Sequence, residues 1–131
     1  MLPEYHSVSV YDNGEVIVEE GSLIDSAEVK KKTQNISVEN VKKVQEILSQ
    51  NNRVFEIKEI EDGDMIAILD GVEDELYFSD GKRNNKIEID NFWDKRQTKN
   101  INNLPNLFLL TKVYREIKRI LIANGIKKDY F

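Results

Sequence analysis

The chain has 131 residues, of which 40% are hydrophobic and 33% are charged, and its formal net charge is −5. We expect residues 1–131 to form one globular domain, because this length is typical of a single domain and the apolar content suffices for a core. The absence of cysteine excludes disulfide bridges, thiolate metal sites and cysteine nucleophiles.

The first predicted element is a β-hairpin near the amino terminus. Valines alternate with other residues over 8–10 and again over 16–18. Asn13-Gly14 lies between these strands and supplies residues that tolerate positive φ in a two-residue turn. Residues 26–34 are interpreted as a third strand, with a short helical turn as the alternative.

Two segments show the spacing of amphipathic helices. Apolar residues recur every three or four positions over 37–52 and over 105–124. Ser37 is a suitable N-cap for the first helix, Pro105 fits the first position of the second, and Gly125 is placed to end it in a left-handed conformation. We expect the second helix to cross one face of the sheet.

Short strands and a polar loop are predicted between the helices. Pairing Leu76 with Ile89 puts the apolar side chains of the last two strands on one face, which fixes their register. From Asp90 to Asn103 the chain loses all periodicity and is interpreted as a loop. The predicted strands cover 53–60, 65–69, 75–79 and 86–90.

These elements predict an α+β fold. The expected order is β-β-(β)-α-β-β-β-β-α, where the bracketed strand is the one that has a helical alternative. We expect about six or seven mostly antiparallel strands in one sheet, with both helices packed on one face.

Charge is distributed unevenly along the chain. Residues 56–81 contain ten acidic residues and one basic residue, whereas residues 82–131 contain five acidic and twelve basic residues. An EF-hand calcium loop requires oxygen ligands at alternate positions, and loops that start at Asp12, Asp62 or Asp70 all fail this requirement. We therefore interpret the acidic stretch as solvated connections and expect no metal site. The alternative is a looser cation site built from loops 61–64 and 70–74.

The sequence offers little for catalysis. The only histidine, His6, precedes the first predicted strand and has no adjacent partner for a catalytic dyad. The six glycines are isolated and form neither a phosphate-binding nor a dinucleotide-binding motif. We therefore expect a protein that is not an enzyme and that has no cofactor. The alternative is an enzyme that uses carboxylates, which would require two or more acidic side chains to converge in a pocket.

The chain shows no signal for secretion or for membrane insertion. It lacks a basic region followed by an apolar run at its start, and no apolar stretch approaches the roughly 20 residues of a membrane span. We expect a cytoplasmic bacterial protein without a membrane partner.

Basic residues near the carboxyl terminus form a candidate stripe for phosphate binding. The alternative is the solvated face of a helix that lies on a sheet, and on this interpretation nucleic acid is not the partner. The run Lys30–Lys32 is interpreted as a protection of a strand edge against pairing with other chains. The stripe consists of Lys95, Arg96, Lys99, Lys112, Arg115, Lys118, Arg119, Lys127 and Lys128.

The loop over 91–96 contains two aromatic residues beside charged ones. Phe92 and Trp93 next to Arg96 have the composition of interface anchors. The alternative is that both rings tuck under the loop and seal the edge of the core. These two interpretations predict opposite exposures for the rings.

Together these patterns favour a small non-enzymatic binding or adaptor domain that contacts a protein partner. The contact is expected at the acidic loops 61–64 and 70–74 or at the loop 91–96. The alternatives are a nucleic-acid-associated protein that uses its basic carboxy-terminal half, and an immunity-type protein that neutralises a basic partner. The candidate interface residues are Asp70, Glu73, Asp74, Phe92, Trp93 and Arg96.

Overall fold

The computed structural model describes residues 4–22, 29–62, 73–128 and 131 of the chain. It confirms the α+β class and the antiparallel pairing of the strands. The described residues hold five strands in two small sheets, with order β1-β2-β3 and β4-β5, and three α-helices. The expectation of one sheet with six or seven strands and two helices is therefore wrong. The strands are β1 (Glu4–Val10), β2 (Glu15–Ser22), β3 (Lys30–Asn35), β4 (Glu73–Ser79) and β5 (Asn84–Asp90), and the helices are α1 (Val38–Gln50), α2 (Phe92–Lys95) and α3 (Pro105–Ala123).

The chain divides into two compact units. One consists of Met1–Gln45 and Lys118–Phe131, and the other of Glu46–Ile117. The boundaries fall within α1 and α3, so each of these helices contributes residues to both units.

The predicted amino-terminal hairpin is present in the first unit, and His6 lies within β1 instead of before it. Its turn is longer than predicted, because the Tyr11 amide donates to the Glu15 carbonyl and three residues remain between them. Gly14 ends this turn at φ 88°, where a side chain would be strained. A Cβ on Gly14 would also lie 2.6 Å from the Ile36 carbonyl oxygen. Glycine is therefore required here for conformation and for space.

β3 confirms the third strand over Lys30–Asn35, and residues 26–28 of the prediction lie outside the described residues. The strand pairs with β2 and forms one edge of the described sheet. All three lysines of the run Lys30–Lys32 are exposed, and Lys31 lies opposite Glu19. Their position on an edge strand agrees with protection of that edge against further pairing.

Both long helices begin and end as the sequence predicts. The Ser37 hydroxyl accepts a hydrogen bond from the Asn40 amide at 3.2 Å, which satisfies a first-turn donor of α1. Beyond α3, Gly125 adopts φ 93° and the Ile126 amide donates to the Leu121 carbonyl at 3.1 Å. Both Leu121 and Ile126 are buried, and apolar residues at these two positions commonly accompany a helix end of this kind.

The β4-β5 hairpin of the second unit is present, but its register differs from the prediction by two residues. Leu76 pairs with Ile87 and not with Ile89. The physical reason is the turn, because Gly81 has φ 87° and the Asp80 amide donates to the Arg83 carbonyl, so the turn is centred on Gly81 and Lys82. A shift of two residues keeps the same side chains on the inner face.

The core of the second unit gathers side chains from both of its strands and all three helices. Residues 53–60, predicted as a strand, instead contain a 3-10 helix over Asn52–Glu56. Val54 and Ile57 are buried at a spacing of three, which suits a 3-10 turn, and the Asn85 side chain donates to both their carbonyls. The predicted strand 65–69 lies outside the described residues. The core consists of Leu48, Val54, Ile57, Phe78, Ile87, Ile89, Phe92, Leu107, Leu110 and Val113.

Candidate functional site

The segment from Asp90 to Gln97 contains a short helix where the sequence predicted a loop. Asn91 follows β5 with φ 52° and ψ 51°, a left-handed conformation that asparagine tolerates better than most residues. The chain then turns into α2, and the Arg96 amide donates to the Phe92 carbonyl at 3.0 Å. The Gln97 side chain closes this turn by donating to the Trp93 carbonyl at 3.1 Å.

Phe92 holds this segment in the core. Its side chain is 3% exposed and packs edge-to-face against Tyr114 of α3, with ring centroids 5.1 Å apart. Its amide donates to a carboxylate oxygen of Asp74 in β4 at 3.3 Å. The start of α2 is therefore fixed by an aromatic contact and by a hydrogen bond.

Arg96 is buried beside the same rings. Its guanidinium carbon lies 4.4 Å from the centroid of Tyr114, 4.8 Å from that of Phe92 and 5.0 Å from that of Trp93. Arg96 is 7% exposed, and burial lowers the pKa of its guanidinium and raises the pKa of the Tyr114 hydroxyl. Because the ordinary pKa of arginine lies far above neutrality, the cation stays charged and is stabilised by the ring faces.

Lys95 is buried as well, with 5% of its surface exposed. Its ammonium nitrogen lies 3.8 Å from a carboxylate oxygen of Asp62, whose side chain is exposed. Both cations of the segment from Asp90 to Gln97 are thus withdrawn from solvent. The basic stripe predicted for nucleic-acid binding therefore loses two members, Lys95 and Arg96.

Trp93 is 60% exposed although its neighbours Phe92, Lys95 and Arg96 are all buried. The two aromatic residues of this loop therefore have different environments, since Phe92 seals the core and Trp93 faces solvent. The exposed residues of the segment are Asp90, Trp93, Asp94 and Gln97. We call these four residues the Trp93 surface.

The structure brings four of the six candidate interface residues together, namely Asp74, Phe92, Trp93 and Arg96. Glu73 begins β4 and pairs with Asp90 through the backbone, and Asp70 lies outside the described residues. Tyr114 joins this cluster although the sequence indicated only that it belongs to the apolar stripe of α3. Its contact with Arg96 spans 18 residues of sequence, and no local pattern signals it.

The acidic loop 61–64 has an internal role at its first residue. The two carboxylate oxygens of Glu61 accept hydrogen bonds from the amides of Leu107 at 2.8 Å and Asn106 at 3.3 Å. These amides belong to the first turn of α3, where helices leave their donors unpaired. Glu61 therefore acts as a distant cap of α3, a role that the local sequence did not indicate.

The structure adds two observations on other kinds of site. Within the described ranges, no three histidine or acidic side chains gather in a way that would hold a metal ion. A helix with the length and apolarity needed to cross a bilayer does not occur in that part of the chain either.

Comparison with known proteins finds no matching family model, no similar curated protein and no similar solved structure.

Proposed function

We propose that this protein is a small binding domain that recognises a protein partner through the Trp93 surface. The observation that carries the proposal is the exposure of Trp93 on a helix whose other apolar and cationic residues are buried. Tryptophan is enriched among the residues that dominate binding energy at protein interfaces.

Rigidity of the support adds to this argument. Phe92 and Arg96 flank Trp93 and are held by Tyr114 and Asp74, so the indole is presented by a segment that is already ordered. A preformed contact residue loses less conformational entropy on binding than one in an unordered loop. The Trp93 surface is therefore suited to recognition without rearrangement of its own backbone.

The test compares capture by three versions of the immobilised protein in a nuclease-treated lysate of the native organism. We expect the wild type and Tyr77→Ala to retain the same partner protein and Trp93→Ala to lose it. Tyr77 is the matched control because it lies in the same unit and is also 60% exposed. Equal capture by the wild type and Trp93→Ala would contradict the proposal.

The Trp93→Ala variant must also remain folded for this result to have meaning. We expect its melting temperature to stay within about 2 °C of the wild type, because an exposed side chain contributes little to stability. The measurement is thermal unfolding followed by circular dichroism. A drop of many degrees would show that Trp93 belongs to the core and would remove it as an interface residue.

A further inference from the structure

The Trp93 surface carries negative charge without a compensating cation. Asp90 and Asp94 are exposed, and neither forms an ion pair with any residue that the structure describes. The basic residues of the same segment, Lys95 and Arg96, are buried: Lys95 pairs with Asp62, and Arg96 lies over the rings of Tyr114, Phe92 and Trp93. The groups of this segment that a partner can reach are therefore the indole of Trp93 and two carboxylates, which lie within three residues of it in the sequence.

The outward face of the β4-β5 hairpin extends this negative surface. Glu88 and Asp90 alternate along β5 with buried isoleucines, so their side chains project from the opposite face. Glu88 also lies directly opposite Glu75 of β4, and both side chains are more than half exposed. Like charges directly opposite each other destabilise a strand pair. The single ammonium nitrogen of Lys86 offsets the two carboxylates only in part, at 3.4 Å from an oxygen of Glu75 and 3.5 Å from an oxygen of Glu88.

An exposed indole with carboxylates close by in the sequence favours a cationic ligand. An arginine guanidinium group can stack on a tryptophan face and at the same time donate hydrogen bonds to carboxylates. Lysine does both less well. Arg96 already shows that this indole contacts a guanidinium at 5.0 Å. A nucleic acid, by contrast, would bring its phosphates against Asp90 and Asp94.

We infer that the partner contacts the Trp93 surface with a cationic polypeptide segment in which arginine is the main anchor. This inference rests on the proposed function and specifies the chemistry of its partner. The cationic segment stacks on the indole of Trp93 and pairs with Asp90 and Asp94, and the acidic face of β5 attracts it from a distance.

The experiment uses the fluorescence of Trp93, which is the only tryptophan of the chain and so reports this site alone. The protein is titrated at about 0.15 M salt with a synthetic peptide that alternates arginine with glycine. We expect a saturable change in emission, and a matched peptide of glutamine and glycine should give none. A change with the glutamine peptide, or none with the arginine peptide, would overturn the inference.

Two double variants separate a local site from the effect of net charge. Asp90→Asn with Asp94→Asn should weaken binding of the arginine peptide about fivefold, since each exposed ion pair contributes little. Glu46→Gln with Glu56→Gln removes the same charge from exposed positions elsewhere in the unit and should leave the affinity within about twofold of the wild type. Equal weakening by both double variants would overturn the inference.

A single-stranded RNA serves as the second probe and should leave the emission of Trp93 unchanged. If RNA changes the emission and the arginine peptide does not, the inference is wrong. The capture experiment distinguishes this inference from the proposed function. A partner whose capture depends on Trp93 but that lacks a basic segment would support the proposed function and overturn only this inference. Failure of Trp93→Ala to reduce capture would instead remove the proposed function.

Discussion

The two connections that flank β5 each place an arginine over an aromatic ring, but one arginine is exposed to solvent and the other is buried. In the turn Asp80–Arg83, the guanidinium carbon of Arg83 lies 4.6 Å from the ring centroid of Phe55, and the side chain is 49% exposed. In the segment after β5, Arg96 has three rings within 5.0 Å and is 7% exposed. The ring distances are similar, and what differs is the desolvation of the cation.

The partners of the two arginines explain the difference. Arg83 pairs with Asp80, three residues earlier, through two nitrogens at 3.1 and 3.2 Å. Arg96 lies over the nearby rings of Phe92 and Trp93 and over the ring of Tyr114, which belongs to α3. These three rings offset the desolvation of the buried cation. A local ion pair therefore closes a turn at the surface, whereas the contact between Arg96 and Tyr114 ties the segment after β5 to α3.

The largest expected effect tests the buried member of this comparison. Arg96→Ala removes a desolvated cation–π contact with three rings together with its packing, which should cost about 2 kcal/mol of unfolding free energy. For a chain of this length that corresponds to a fall of about 8 °C in melting temperature. Thermal unfolding by circular dichroism measures it.

Arg83→Ala is the matched control, because it removes a guanidinium from one ring at an exposed site. We expect a loss below about 1 kcal/mol, since exposed cation–π contacts and ion pairs contribute little. If Arg83→Ala lowers the free energy of unfolding as much as Arg96→Ala does, burial does not decide how strongly these cation–π contacts stabilise the fold.

An intermediate effect is expected at Glu61, whose acidic side chain also acts at a distance. Glu61→Gln leaves an acceptor oxygen for α3 but removes the negative charge from the helix amino terminus, which should cost about 1 kcal/mol. Urea unfolding measures this change. Glu59→Gln alters charge equally at an exposed neighbouring side chain, and an equal loss in that variant would show that Glu61 is not a specific cap.

Local chemistry could be predicted from the sequence, and distant contacts could not. The Ser37 cap and the Gly125 helix end depend on residues a few positions apart, and both were placed correctly. The turn at Asn13-Gly14 was also located correctly, but it is one residue longer than predicted. The segment 53–60 was misassigned because Phe55 and Ile57 fit the alternation of a strand, whereas the buried residues Val54 and Ile57 have the spacing of a 3-10 turn. The hydrogen bonds from Asn85 that favour this turn span 31 and 28 residues. In the short helix α2, likewise, no local pattern distinguishes the buried ring of Phe92 from the exposed ring of Trp93.

The smallest expected effect concerns the local partner, Asp80, and it depends on pH. The amides of Arg83 and Lys82 donate to its carboxylate and, with smaller help from the Arg83 side chain, hold the pKa of Asp80 below its ordinary value of 3.8. A lowered pKa in the folded state means that the stabilisation is complete above pH 3.8 and is lost as the pH falls through the folded value. Asp80→Asn should therefore lower the melting temperature slightly at neutral pH, by less than Arg83→Ala does, and the gap from the wild type should close below about pH 4. A gap that stays constant into that acidic range would show that the carboxylate charge contributes nothing, and the turn would then be held by backbone conformation at Gly81 alone.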